Sequence, residues 1–106
     1  MTETTRRIIA AIEAIPPGKV SCYRDIALAA GLPNGARQVV RVLHSMSRVR
    51  NLPWFRVIKA NGRIAFAPGD GLEEQAALLR SEGVEVSGAG LVNLARFGVT
   101  VIGLND

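Results

Sequence analysis

The sequence predicts a small α/β domain of winged-helix type, in which a helix-turn-helix is followed by a β-hairpin wing. Three observations lead to this prediction. Helical periodicity recurs in three successive segments of residues 3–47, which are separated by proline- and glycine-containing turns. An Asn-Gly pair then separates two short runs of strand-forming residues. A capped helical pattern follows, and residues 1–106 are expected to form one domain.

The first two helices are defined by apolar spacing and by the residues that end them. The first is predicted over residues 3–14, and Pro16-Pro17-Gly18 stops it because proline cannot continue a helix. The second is predicted to take Ser21 as its N-cap and to end at Gly31. A short turn over residues 32–35 then leads into the third helix.

The third helix, roughly residues 36–47, has two distinct faces. One face predicts a core contact, because its apolar residues recur at helical spacing: Val39, Val42, Leu43 and Met46. The other face carries cations and one imidazole: Arg37, Arg41, His44 and Arg48. A basic exposed face on the second helix of the pair is typical of a helix-turn-helix that binds DNA, and an ordinary helix pair with a solvated charged face is the alternative.

The wing is predicted from a turn between two short runs of strand-forming residues. Residues 57–58 and 63–66 flank Lys59-Ala60-Asn61-Gly62, and Asn-Gly at this position favours a β-hairpin. A hairpin directly after a helix-turn-helix is the arrangement of a winged helix.

A fourth helix is predicted after the wing. Residues 70–73 have the pattern of a capping box, and Gly83 is placed to end the helix. Its apolar face is expected to consist of Leu72, Ala76 and Leu79. The apolar residues of 98–104 do not distinguish between a strand and a helix.

The charge distribution indicates a polyanionic partner. The formal net charge is +4, and no acidic residue occurs between Asp25 and Asp70. That stretch carries only basic charges: Arg37, Arg41, Arg48, Arg50, Arg56, Lys59 and Arg63. Arginine outnumbers lysine here, and its planar guanidinium suits phosphates and bases. A solvated basic face without a partner is the alternative.

Composition excludes several other classes of protein. No run approaches the ~20 apolar residues of a membrane span, and the N-terminus has no signal-peptide pattern, so a cytoplasmic location is expected. The single cysteine, Cys22, excludes an internal disulfide framework. With one cysteine, one histidine and scattered carboxylates, we expect no metal site and no cofactor.

Several stretches of the chain resemble the DNA-binding domain of the O6-alkylguanine-DNA alkyltransferases, in the same order and at similar spacing. IPPGKVSCYRDIA at residues 15–27 resembles the opening of that domain, and residues 31–39 resemble its recognition-helix segment. PWFRVI at residues 53–58 stands where that family has Pro-Cys-His-Arg-Val. Residues 62–64 and 78–83 continue the match. The resemblance covers about residues 8–85 and implies the fold of the transferases' C-terminal domain.

The departures from the transferase pattern bear on activity. In the transferases a cysteine thiolate attacks the alkyl group, a histidine activates it, and a glutamate orients the histidine. Here Trp54 takes the place of the cysteine and Phe55 that of the histidine, and Glu82 is expected to have nothing left to orient. The chain is therefore identified as an alkyltransferase-like protein and is not expected to be an enzyme. Members of that group usually have Pro-Trp-His-Arg-Val, so Phe55 departs from them as well.

The resemblance implies a DNA damage sensor. Such a protein binds O6-alkylguanine in double-stranded DNA, flips the base into a pocket and passes the lesion to nucleotide excision repair proteins. A monomer is expected.

The same resemblance assigns roles to individual residues. Arg37 is expected to intercalate as an arginine finger, and Tyr23 to help rotate the phosphate and base. The other DNA contacts are expected from Arg41, Arg48 and Lys59. The lesion pocket is expected to include Tyr23, Trp54, Val57 (through its carbonyl), Pro68 and Gly69. Arg56 is expected to brace the motif and Cys22 to be structural.

Three alternatives remain from the sequence. The first is an alkyltransferase that uses Cys22 or another group. The second is a winged-helix transcription factor that reads a particular operator, usually as a dimer. The third is a DNA-binding domain without sequence or lesion preference.

Overall fold

A computed structural model of the protein describes residues 1–101, in which five α-helices and two short strands form the regular structure. In chain order they are α1 (Glu3–Glu13), β1 (Ser21–Cys22), α2 (Tyr23–Ala29), α3 (Ala36–Arg50), β2 (Val57–Ile58), α4 (Leu72–Ser81) and α5 (Leu94–Phe97). A 3-10 turn, Trp54–Arg56, precedes β2. Within residues 1–101, every helix falls short of the length and apolar content that crossing a bilayer requires.

The first three helices form where periodicity predicts them and pack against one another. The hydroxyl of Thr2 caps α1 by accepting a hydrogen bond from the Thr5 N–H at 3.1 Å. Ile8 and Ile12, one turn apart on α1, are fully buried together with Val39 of α3. All three helices are therefore confirmed, with ends that differ from the predicted ones by a few residues.

Ser21 does not cap α2, and this prediction is wrong. Cys22 takes the N-cap position without a side-chain hydrogen bond, and both residues belong to β1, which pairs in parallel with β2. On the other side, the Val20 N–H donates to the Phe97 carbonyl at 2.9 Å and the Val99 N–H donates to the Val20 carbonyl at 2.8 Å. Backbone partners on both sides hold this stretch extended, so the helix begins later than predicted.

The wing has the predicted turn but not the pairing of a hairpin. The Lys59 N–H donates to the Arg63 carbonyl at 2.9 Å, which closes the turn. Gly62 has a φ of +86°, and a Cβ at this position would lie 2.7 Å from the Val92 carbonyl oxygen. The two arms pair with other segments, since β2 pairs with β1 and Arg63 with Leu91. The predicted winged α/β class is confirmed, with its wing held by partners distant in the sequence.

The fourth predicted helix is present as α4, but Asp70 does not cap it. Gly71 is the N-cap residue, and the Glu73 carboxylate accepts a hydrogen bond from the Gly69 N–H at 2.9 Å. The carboxylate therefore stabilises the loop before the helix. Gly83 follows the helix end in the left-handed region, as expected. The predicted apolar face is buried: Leu72, Ala76 and Leu79.

Two apolar clusters form the core of residues 1–101. The first lies among α1, α2 and α3, and the second joins α4 to residues 84–97. β2 contributes to both, since Val57 lies in the first cluster and Ile58 in the second. From the apolar run at 98–104, Gly98 pairs in parallel with Val20. Residues 102–104 lie outside the described part of the chain.

Candidate nucleic-acid interface

The exposed face of α3 carries the predicted basic stripe. Its four members are all exposed: Arg37, Arg41, His44 and Arg48. Their spacing of four, three and four residues keeps them on one face of the helix. The opposite face is anchored by Val39, which is fully buried, and by Val42. Packing of the apolar face therefore fixes the direction in which the cations point.

The cations predicted to contact DNA are free to meet phosphates. Among residues 1–101, no carboxylate forms an ion pair with Arg37, Arg41, Arg48 or Lys59. Lys59 is exposed in the turn of the wing. Because no neighbouring anion neutralises them, these groups give the surface a positive potential that favours a polyanion.

The 3-10 turn presents Trp54 beside two other aromatic rings. The turn follows shortly after Asn51, whose left-handed backbone (φ 51°) ends α3, and the Trp54 N–H donates to the Leu52 carbonyl at 2.8 Å. Trp54 is half-buried. Its ring meets Phe55 and Phe66 edge to face, with centroid distances of 6.0 and 6.1 Å. We call these three residues the aromatic row.

Arg56 is held in place by three acceptors from two other segments. Its Nε and Nη2 donate to Oε1 and Oε2 of Glu82, at 3.0 and 2.5 Å, and its Nη1 donates to the Ile15 carbonyl at 2.9 Å. Glu82 Oε1 also accepts from the Gly18 N–H at 3.2 Å. The Arg56 hydrogen bond lowers the pKa of Glu82 below its ordinary value. The structure confirms that Arg56 braces the motif.

The expectation that Glu82 orients nothing is wrong. With Phe55 in place of the histidine, the carboxylate holds the guanidinium of the next residue, Arg56. That guanidinium also lies over the Phe55 ring, 5.3 Å from its centroid. The motif turn is thus kept in place by an ion pair and an aromatic contact.

Gln75 of α4 fixes the backbone of the motif, and sequence reasoning missed it. Its Nε2 donates to the carbonyls of Phe55 and Val57, at 2.9 and 3.1 Å, and the side chain is buried. Its Oε1 has no hydrogen-bond partner among the described residues. The sequence does contain a signal for this role. Gln75 lies three residues after Leu72 and four before Leu79, which places a polar side chain on the apolar face of α4.

Val57 is buried in the core and does not line an open pocket. The residue is 1% exposed and packs in the first core cluster. Its carbonyl, which was predicted to meet the exocyclic amine of guanine, accepts the hydrogen bond from Gln75. Because the whole residue is 1% exposed, its carbonyl is covered by protein, and a base could meet it only after the motif backbone is uncovered.

Tyr23 and Cys22 lie where β1 passes into α2. Tyr23 is half-buried against the first cluster, and burial raises the pKa of its phenol, which keeps the hydroxyl protonated as a donor. Burial also raises the pKa of the Cys22 thiol. Because the thiolate is the nucleophilic form, this environment suits the structural role expected of Cys22.

The loop after the wing places Phe66 against the start of α4. Pro68 and Gly69, the predicted pocket wall, are exposed in this loop. Gly71 has a φ of +123°, and a Cβ there would lie 3.2 Å from Cγ of Phe66. The glycine therefore makes room for the Phe66 ring, which is 41% exposed.

An open cavity of about 360 Å³ lies apart from these residues. Glu85, Leu91 and Arg96 are among the residues that line it, and none of the predicted site residues does. The cavity is therefore not part of the candidate interface.

A helix-turn-helix with a basic second helix, joined to a Pro-Trp-Phe-Arg-Val turn, defines a DNA-binding domain of the alkylguanine transferase class. Residues 3–84 match the family described as the DNA-binding domain of 6-O-methylguanine DNA methyltransferase. The chain belongs to this family, in its alkyltransferase-like branch, which confirms the resemblance found in the sequence.

Two relatives and one solved structure show the likeness. The chain is 43% identical to a DNA base-flipping protein of Vibrio parahaemolyticus over 91 residues, 86% of this chain and 90% of the relative. It is 37% identical to alkyltransferase-like protein 1 of Schizosaccharomyces pombe over 87 residues, 81% of each chain. The crystal structure of S. pombe Atl1 in complex with damaged DNA containing O6-carboxymethylguanine matches with a TM-score of 0.80 and 34% identity, covering 93% of this chain and 96% of that one.

Proposed function

We propose that the protein binds O6-alkylguanine in duplex DNA, flips the base out of the helix and does not transfer the alkyl group. One observation carries the proposal: a half-buried tryptophan, Trp54, stands in the motif at the position of the transferases' nucleophile. It follows shortly after a helix whose exposed arginines Arg37, Arg41 and Arg48 form no ion pair among residues 1–101. The similarity to a base-flipping protein and to Atl1 bound to damaged DNA supports it.

The basic stripe supplies the electrostatic part of binding. Arg41, Arg48 and Lys59 neutralise phosphates, which releases counterions and makes affinity fall with salt. Arg37, near the N-terminus of α3, enters the duplex and fills the space that the flipped base leaves. Tyr23 contacts the rotated phosphate through its protonated hydroxyl.

The aromatic row and the backbone beside it form the receiving pocket. Trp54 stacks on the flipped base or contacts its alkyl group, with a gain typical of base–aromatic stacking. The Val57 carbonyl, which is buried and bonded to Gln75 in the free protein, meets the exocyclic amine only when base binding uncovers it. Pro68 and Gly69 form the wall on the side of the loop.

The absence of alkyl transfer follows from the side chains present. Neither Trp54 nor Phe55 can replace a thiolate and its general base. Cys22 is the only thiol in the chain, and its raised pKa keeps it protonated. In this proposal the bound lesion is left intact and is passed to nucleotide excision repair.

Titration with two duplexes tests the proposal, using the fluorescence of Trp54, the single tryptophan. One duplex carries O6-methylguanine and the other carries guanine in the same sequence. We expect tighter binding and strong quenching with the lesion duplex. Equal affinities with unchanged fluorescence would overturn the proposal and leave a general DNA-binding domain. Preference for one operator sequence over the lesion would indicate a transcription factor.

A further inference from the structure

Three of the five aromatic residues of this protein lie in the aromatic row. Trp54 is central and meets its two neighbours at interplanar angles of 88° and 75°. Phe55 is half-buried and packs against the second core cluster, whereas Phe66 is 41% exposed. Burial in the core therefore accounts for Phe55 but not for Phe66.

The backbone of the loop holds Phe66 beside Trp54. Gly71 lacks the Cβ that would crowd the Phe66 ring, and its position at the N-terminus of α4 fixes that approach. The loop is closed by the bond from the Gly69 N–H to the Glu73 carboxylate. An exposed apolar ring is thus kept in a defined place next to the proposed receiving residue.

The chain segment that carries Phe66 is more acidic than basic. Residues 63–79 include one cation, Arg63, and three carboxylates, Asp70, Glu73 and Glu74, and all four residues are exposed. The cation of the motif, Arg56, is engaged by Glu82. A negatively charged substituent placed against Phe66 would therefore find more carboxylates than cations along this segment.

We propose that Phe66 is a specificity-determining residue that selects uncharged aromatic O6-substituents, such as benzyl, over anionic ones, such as carboxymethyl. The substituent of a base stacked at Trp54 lies against the Phe66 ring. An aryl group gains an aromatic contact there, a methyl group gains little, and a carboxylate meets like charge. This inference rests on the proposed function, because it needs the flipped base in the pocket.

The test measures affinity by fluorescence anisotropy of end-labelled duplexes that differ only at one base: guanine, O6-methylguanine, O6-benzylguanine or O6-carboxymethylguanine. We expect the benzyl duplex to bind at least fivefold tighter than the carboxymethyl duplex. Phe66→Ala should weaken benzyl binding about fivefold, the size of one aromatic pair, and methyl binding less than twofold. Asp70→Asn should strengthen carboxymethyl binding more than methyl binding.

Leu91→Ala is the matched control, because Leu91 is 40% exposed and lines the separate cavity. It should leave all four affinities unchanged. An equal loss for every adduct in Phe66→Ala, or an unchanged ratio of benzyl to carboxymethyl affinity, would overturn the role of Phe66. If the unmodified protein binds the O6-methylguanine duplex no more tightly than the guanine duplex, the proposed function itself is overturned. The two failures are therefore distinct.

Discussion

Arg56 and Glu82 form a two-point ion pair that joins the motif turn to the end of α4, with N···O distances of 3.0 and 2.5 Å. Both side chains are largely buried, at 14% and 16% exposure. Glu82 also accepts from the Gly18 N–H, so the pair connects three segments of the chain. This protein lacks the histidine that the glutamate orients in the transferases, and here the glutamate stabilises the motif turn instead.

Glu82→Gln should lower the free energy of unfolding by roughly 1–2 kcal/mol at pH 7, because a charge-assisted pair becomes a neutral one. The folded state lowers the pKa of Glu82 from its ordinary value of 4.5. The contribution of the carboxylate is therefore full above that value and is lost as the pH falls through the lowered pKa. Urea unfolding at pH 7 and pH 3 should show the difference between the two proteins shrinking in acid.

Glu85→Gln is the control for that experiment. Glu85 pairs with Arg96, but both side chains are about two-thirds exposed. Exposed pairs contribute little, so this variant should unfold like the unmodified protein at both pH values. Equal effects of the two substitutions would contradict the assignment of a bracing role to Glu82.

Gln75→Leu should destabilise the fold by about 2 kcal/mol, because the carbonyls of Phe55 and Val57 lose a buried donor. It should also weaken lesion binding beyond the loss of folded protein, since these carbonyls belong to the motif. Urea unfolding and anisotropy titrations on the same samples measure the two effects. Gln38→Leu, which changes the chain's other, exposed glutamine, should leave stability nearly unchanged.

Arg37→Ala should weaken binding to the O6-methylguanine duplex and reduce its preference over the guanine duplex. The reason is that a finger filling the flipped-out space stabilises only the flipped complex. Arg48→Ala should weaken binding to both duplexes alike and make the salt slope less steep by about one. Undiminished discrimination by the Arg37 variant would rule out its role as the finger.

Trp54→Cys should not create an alkyltransferase, because Phe55 cannot activate the new thiol. After incubation with excess O6-methylguanine DNA, intact-mass spectrometry should show no added methyl group on the protein. A true transferase treated in parallel confirms that the DNA is reactive. A mass increase located at residue 54 would show that the pocket activates a thiol without the histidine.

The structural features that depend on residues close together in the sequence are the ones predicted correctly. Apolar spacing predicts the helices, and the same spacing predicts that the face of α3 opposite Val39 is basic and exposed, as the structure shows. The motif residues were located by their order and spacing, and Arg56 was recognised as a brace.

The remaining features depend on contacts between distant segments. Ser21 was predicted as a cap because local preference favours serine there, but pairing with β2 and the neighbouring bonds from residues 97 and 99 hold the chain extended. Glu82 and Gln75 act on the motif from α4, and the edge-to-face contact of Phe66 with Trp54 depends on how the loop before α4 folds back. Such contacts leave little trace in local patterns.

The central position of β1 has a consequence for folding kinetics. Cys22 pairs with Ile58 of β2, and Val20 pairs with Gly98. The sheet therefore joins three distant parts of the chain. Contacts between residues far apart in sequence raise contact order and slow folding. The helices can nucleate early, but Trp54 reaches its final surroundings only when this sheet closes. On refolding, the helical signal should recover before the tryptophan signal.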